Sequence, residues 1–145
     1  MREIKFRAWD KAEGRMLFPE QLEKGTVSEF PTTLAIGFHG KPVAFDRDSF
    51  KGDEVVGWNR DHNLELMQYT GLNDKAGKPV YEGDIVNVSL PTGKPWRIGA
   101  VVWHGFGFAI DTDTKNVSGA MPLPASHRIE VIGNIHEHPE LLINP

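Results

Sequence analysis

The chain contains no cysteine, which excludes disulfide staples, thiol nucleophiles, thiolate metal sites and iron–sulfur clusters. It has no excess of positive charge either. Sixteen Lys and Arg face twenty Asp and Glu, a net charge of −4, and the halves are alike: residues 1–72 hold 10 basic against 12 acidic side chains, residues 73–145 hold 6 against 8. Charge therefore gives no support to a dedicated nucleic-acid binder, although a local basic patch formed in three dimensions stays open. Long hydrophobic runs are absent, so no membrane-spanning helix is expected. The charged opening MREIKFRAWD lacks the apolar segment of a signal peptide. Helical periodicity is scarce as well, which turns attention to strands.

What the chain has in quantity is punctuation. Fifteen Gly and ten Pro cut its 145 residues into short pieces, while a hydrophobic content of 39% suffices for a packed core. Ile4, Phe6 and Ala8 alternate with Lys5 and Arg7, the pattern of a half-buried strand. Asp10 to Gly14 reads as a turn, and Met16 and Phe18 as the returning strand of a hairpin. Pro19 to Lys24, before Gly25, reads as a short helical turn, and Thr32–Phe38, Val43–Phe45 and Val55–Trp58 as short strands. Further along, Leu64–Thr70 and Ile85–Leu90 read as strands. Ile98, Ala100 and Val102 read as the apolar face of another, followed by a tight turn at His104–Gly105 and a strand carrying Phe106, Phe108 and Ile110. Ile129, Val131 and Ile135 mark the last strand, where Gly133 signals a bulge or a close backbone approach; Pro139–Leu142 is a single helical turn with Pro at its first position. The expectation is a mainly β protein of one domain over 1–145. Within it, 1–62 would hold the N-terminal hairpin and a variable β and loop region. Residues 63–145 would hold short twisted strands in a small barrel-like or curled sheet.

One pattern recurs. Gly40-Lys41-Pro42-Val43 and Gly77-Lys78-Pro79-Val80 are identical, Gly93-Lys94-Pro95-Trp96 is close, and Asp10-Lys11-Ala12 matches Asp74-Lys75-Ala76. Duplicated binding loops are one reading. Hairpin tips are the stronger one, with Asp closing an Asx turn, Gly taking positive φ, and Pro opening a strand where no amide donor is needed.

Candidate chemistry is sparse. His136 and His138 stand at i and i+2, which in a strand puts two imidazoles on one face for a metal, with Glu140, His104 or His127 as a third ligand. Asp111, Thr112 and Asp113 offer side-chain oxygens in one short loop, yet these are also loop-tip residues. Neither set matches a complete ligand pattern, so no metal or other cofactor is expected. No nucleophile elbow, phosphate loop or dinucleotide fingerprint is present. Glu82, Asp84 and His104 are an acid–base group only if the fold gathers them. Among the aromatics, Trp103 and Phe108 sit on strands and read as core or interface, whereas Trp96, just after a turn, is the candidate exposed ring.

Three segments carry a family likeness: REIKFRAWD at 2–10, LMQYTGLNDKAGKPVYEGDIV at 66–86, and IEVIGNIHEHPELL at 129–142. In these the chain resembles the YopX family of phage and prophage proteins. The matching positions include Trp9, Tyr69, Gly71, Leu72, Asp74, Gly77, Tyr81, Glu82, Gly83, Asp84, Gly133 and Asn134. At His136 and His138 the chain departs from the family pattern, which weakens the metal reading further. The resemblance implies a mostly β, oligomeric protein of phages or prophages, with no assigned activity and no catalytic residue to carry over. It also implies a location in the cytoplasm of the bacterial host.

The function expected on these grounds is a non-enzymatic accessory protein that works by self-assembly or by binding a phage or host protein. A nucleic-acid-associated β module is the alternative; it requires Lys5, Arg7, Lys94, Arg97 or Arg128 to gather beside an exposed Trp. A metal-dependent hydrolase built on His136 and His138 is the more distant one.

Overall fold

The computed structural model describes residues 3–18, 33–36, 42–45, 50–51, 54–55, 64–105, 107–112 and 120–143. The helical turn expected at Pro19–Lys24 lies outside them, as do Trp58, Phe106 and Asp113. Among the described residues no helix is long and apolar enough to cross a membrane. The chain is mainly β and divides into two compact units, Lys5–Met67 and Gln68–Pro145 together with Met1–Ile4.

The first unit opens with the expected hairpin. Strand β1 (Phe6–Asp10) pairs antiparallel with β2 (Arg15–Leu17), Ala8 opposite Leu17 and Trp9 opposite Met16. The Asp10 carboxylate closes the turn by accepting the amides of Ala12 and Glu13 at 3.0 and 3.1 Å. The simple alternation read from the sequence fails at Arg7, which is only 3% exposed although the pattern puts it on the solvent face. Its buried neighbour Ala8 points to the opposite face, so both faces of β1 are covered. The guanidinium accordingly extends along the interior, its Nη2 3.7 Å from Met67 Sδ. Ala8, Leu17, Leu64 and Leu66 form the apolar cluster here. Beyond the hairpin lie β3 (Thr33–Ile36) paired with β4 (Pro42–Phe45), and β5 (Phe50–Lys51) paired with β6 (Glu54–Val55). Of these, β5 is not foreseen in the sequence; of the strand expected at Val55–Trp58, Val55 lies in β6 and the rest falls outside the described residues.

Strand β7 (Leu64–Asn73) begins in the first unit and ends in the second. There it pairs with β8 (Pro79–Tyr81), Tyr69 opposite Tyr81 and Asn73 opposite Pro79, with a bulge between. The second unit continues with β9 (Asp84–Ser89), β10 (Pro95–His104), β11 (Gly107–Asp111), β12 (Ala120–Pro122) and β13 (Ile129–Asn134). These five form one antiparallel sheet in the order β12-β11-β10-β9-β13, curled into a half-barrel. Helix α1 (Glu140–Ile143) packs against β10. Strand β12 is not foreseen in the sequence.

Proline opens β4, β8 and β10, as the hairpin-tip reading of the repeats requires. The two described tips are built alike. Asp74 N–H donates to the Lys78 carbonyl and Gly77 N–H to the Asp74 carbonyl, while Leu90, Gly93 and Lys94 repeat both bonds. Gly77 and Gly93 both have φ of +85°, a conformation costly for any residue with a Cβ.

The core of this unit is Val80, Val86, Val88, Val101, Ile110 and Ile129. On β10 this reverses the expected face: Val101 is 1% exposed and Val102 only half-buried. Gly99 shares the inner face, where an added Cβ would stand 2.6 Å from Ile110 Cγ2. Both faces of β10 carry apolar residues, and the apparent outer stripe of Ile98, Ala100 and Val102 was the longer one in sequence; the register against Ile110 and Val86 decided the matter.

Candidate functional site

The family-like residues turn out to serve the backbone. Asp74 is buried, and its Oδ1 accepts the amides of Ala76 and Lys78, both at 2.9 Å, while Oδ2 accepts that of Val131 at 3.0 Å. One carboxylate therefore closes a turn and fastens it to β13. Burial works to raise its pKa. The amides of Val131, Lys78 and Ala76, with the Lys78 ammonium, outweigh burial and hold it below the ordinary carboxylate value. Asp84, 1% exposed, accepts the Tyr81 amide at 2.8 Å. Glu82 exchanges two bonds with Gln68: its Oε2 accepts the Gln68 amide at 3.0 Å and its own amide donates to the Gln68 carbonyl at 2.9 Å. Tyr69 and Tyr81 pack with ring centroids 5.6 Å apart, and Tyr69 Oη donates to Asn73 Oδ1 at 2.8 Å. Gly71 and Leu72 lie in the bulge of β7, where the Thr70 hydroxyl receives the Leu72 amide. Gly83 donates to Val101 and accepts from Ile135. Trp9 is half-buried on β1.

At the other end of the likeness, Asn134 Oδ1 accepts the amides of His136 and Glu137 at 3.1 and 3.0 Å. The two histidines consequently belong to a turn, and the strand geometry that would align them is not present. His138 instead lies over Gly133, where an added Cβ would meet its ring at 2.9 Å, and its Nδ1 accepts the Asn134 amide at 3.4 Å. The bulge expected at Gly133 is there, between Val131 and Gly133, and so is the close approach. Asp111 sits in the ladder opposite Ala100 and Ala120. Among the described residues no three His, Cys, Asp or Glu side chains come together as a metal site. Glu82, Asp84 and His104 are not gathered: both carboxylates are turned to amides, and exposed His104 lies at the far end of β10.

The sheet instead presents two aromatic features, one at each end of β10. At its end, Trp103 stands edge-on to Phe108 across the strand pair, centroids 5.1 Å apart and planes at 84°. Trp103 is 54% exposed, which corrects the core reading. Beside it a cavity of about 410 Å³ is lined by His104, Gly107, Phe108, Ala109, Ala120 and Pro122. At its start, Trp96 is 42% exposed, as expected of a ring just after a turn. Arg97 lies over the indole, its Cζ 4.9 Å from the centroid, and Nη1 donates to Thr112 Oγ1 at 3.3 Å. Asn87, Pro95, Trp96, Arg97, Ile98 and Thr112 line an open groove of about 520 Å³.

Comparison with known proteins matches the YopX protein family over residues 5–143. The chain belongs to the YopX family. Two solved members of that structural type are similar along nearly their whole length. Protein EF1440 from Enterococcus faecalis is 24% identical with a TM-score of 0.60, covering 98% of this chain and 99% of that one. Protein yopX from Bacillus subtilis is 22% identical with a TM-score of 0.58 and the same coverage. At these identities the likeness is one of fold. No curated protein matches. The YopX-like residues are thus the ones that shape the turns and the β13 junction, whereas the two aromatic features lie on β10 outside the three segments of likeness.

Proposed function

We propose that this YopX-family chain is a non-catalytic accessory protein of phages or prophages, working by self-association in the cytoplasm of the bacterial host. The observation that carries the reading is Trp103, more than half exposed on the edge of Phe108, beside a cavity bounded by the edge strand β12. A large exposed ring on an apolar neighbour is what a protein contact covers, and an edge strand offers unpaired backbone groups to a second copy. The commitment of Asp74, Glu82 and Asp84 to backbone amides supports the absence of catalysis, since such carboxylates hold turns rather than await a substrate.

Sedimentation of the native chain across a concentration series tests the proposal. A symmetric oligomer is expected, shifting toward monomer in Trp103→Ala. A chain that stays monomeric, or an oligomer indifferent to Trp103→Ala and to a charge placed on β12 by Ala120→Lys, overturns it.

A further inference from the structure

At the start of β10 the fold collects positive charge that the composition hides. Antiparallel pairing of β13 with β9 sets Ile129 opposite Val88. Arg128, one residue earlier, then reaches the adjoining strand end, where its Nε donates to the Ser89 carbonyl at 2.8 Å. Ser89 is opposite Pro95, so Arg128 arrives beside the turn that holds Lys94 and leads to Trp96 and Arg97. Of the five cations that could mark a nucleic-acid face, Lys94, Arg97 and Arg128 share this end of the β9–β10 hairpin. Arg7 is excluded by its burial. Among the described residues no carboxylate forms an ion pair with any of the three; the ion pairs of this sheet's surroundings involve Lys75 with Glu130 instead.

From this arrangement we infer that the groove at Trp96 and Arg97 binds single-stranded nucleic acid. It has the two components that sequence-tolerant strand binding needs: an exposed aromatic face for a base and cations for the backbone. Trp96 supplies the platform. Arg97, held by Thr112 and lying on the indole, fixes the ring and offers its own plane for stacking. Asn87 and Thr112 add polar groups to the lining of a groove open to solvent. Lys94 and Arg128 flank it as phosphate contacts. A duplex fits less well, because the ring stacks only on a base already out of its helix. The site is separate from the Trp103 surface: seven residues of extended chain, about 23 Å, lie between the two rings. Failure of self-association therefore leaves this inference standing, and the reverse also holds.

Fluorescence anisotropy of a labelled oligothymidylate of about 12 nucleotides, titrated with the full chain at low and moderate salt, reads the binding directly. Saturable binding is expected, tighter than that of the matching duplex or of polyglutamate. Trp96→Ala weakens it about tenfold, a typical loss for one stacked base, whereas Trp103→Ala leaves it unchanged. Lys94→Ala and Arg128→Ala each reduce the slope of log K on log salt by about 0.7, the value for one neutralised single-strand phosphate. Lys94→Glu, on an exposed turn, serves as the second weakening variant if Trp96→Ala impairs folding. Absence of binding at low salt, equal binding of the duplex, equal binding of polyglutamate, or indifference to Trp96→Ala and Lys94→Glu overturns the inference.

Discussion

Asp74 is the residue whose loss should be felt most widely. Replacing it by Ala removes the acceptor of three amides, those of Ala76, Lys78 and Val131. A buried donor left without a partner costs about 1–3 kcal/mol. Ala76 and Lys78 are exposed and regain water, so the cost falls chiefly on Val131, which is half-buried in β13. The total expected at neutral pH is about 3 kcal/mol, or a fall of about 1–2 M in the urea midpoint. Asp74→Asn keeps one acceptor oxygen but turns an NH₂ toward one of the partners, so it should lose about half as much. The pH dependence follows from the lowered pKa. A carboxyl whose folded pKa is depressed contributes stability that is complete above its unfolded value of about 3.9, and lost as pH falls through the folded value. The difference between parent and Asp74→Asn should therefore be constant above about pH 5 and shrink below about pH 4. Urea denaturation at a series of pH values measures it, and amide exchange at Val131 gives a local readout. Asp74→Ala within about 0.5 kcal/mol of the parent, or a gap that persists unchanged at the acid end, refutes the reasoning.

Two further substitutions test the packing. Gly133→Ala drives a Cβ into the His138 ring and should cost about 1–2 kcal/mol. Combining it with His138→Ala should recover part of that loss in a double-mutant cycle, whereas strict additivity would show that the ring is not what constrains the glycine. On β10, Val101→Ala should cost about 2 kcal/mol and Val102→Ala less than half as much, since Val101 alone of the two belongs to the core. Comparable thermal shifts for both would contradict the assigned register.

The turns were legible because their chemistry is local. Asp10 and Asp74 bond amides two to four residues away, and the Gly-Lys-Pro strings end where a strand begins. Residue type and short spacing are enough to read such contacts. Gly133 was legible for a related reason, as a missing side chain in a strand. Tyr81 and Glu82 were not, because their partners Tyr69 and Gln68 lie on the strand across the hairpin.

The candidate sites divide in the same way. Trp96 follows a turn, and its exposure could be expected. That Trp103 lies open rather than buried, and that Arg7 lies buried rather than open, depends on which strands cover which faces. The placement of Arg128 is likewise a product of pairing: it reaches the Ser89 carbonyl, at the end of the β9–β10 hairpin, only because β13 runs back along β9. By itself the sequence determined the β class, the corners and the family, since these rest on residue type and neighbours along the chain. Tertiary structure alone decided the inner face of β10, the burial of Arg7, the placement of Arg128 and the neighbours of Trp96 and Trp103, because burial and charge clustering are set by contacts between residues far apart in sequence.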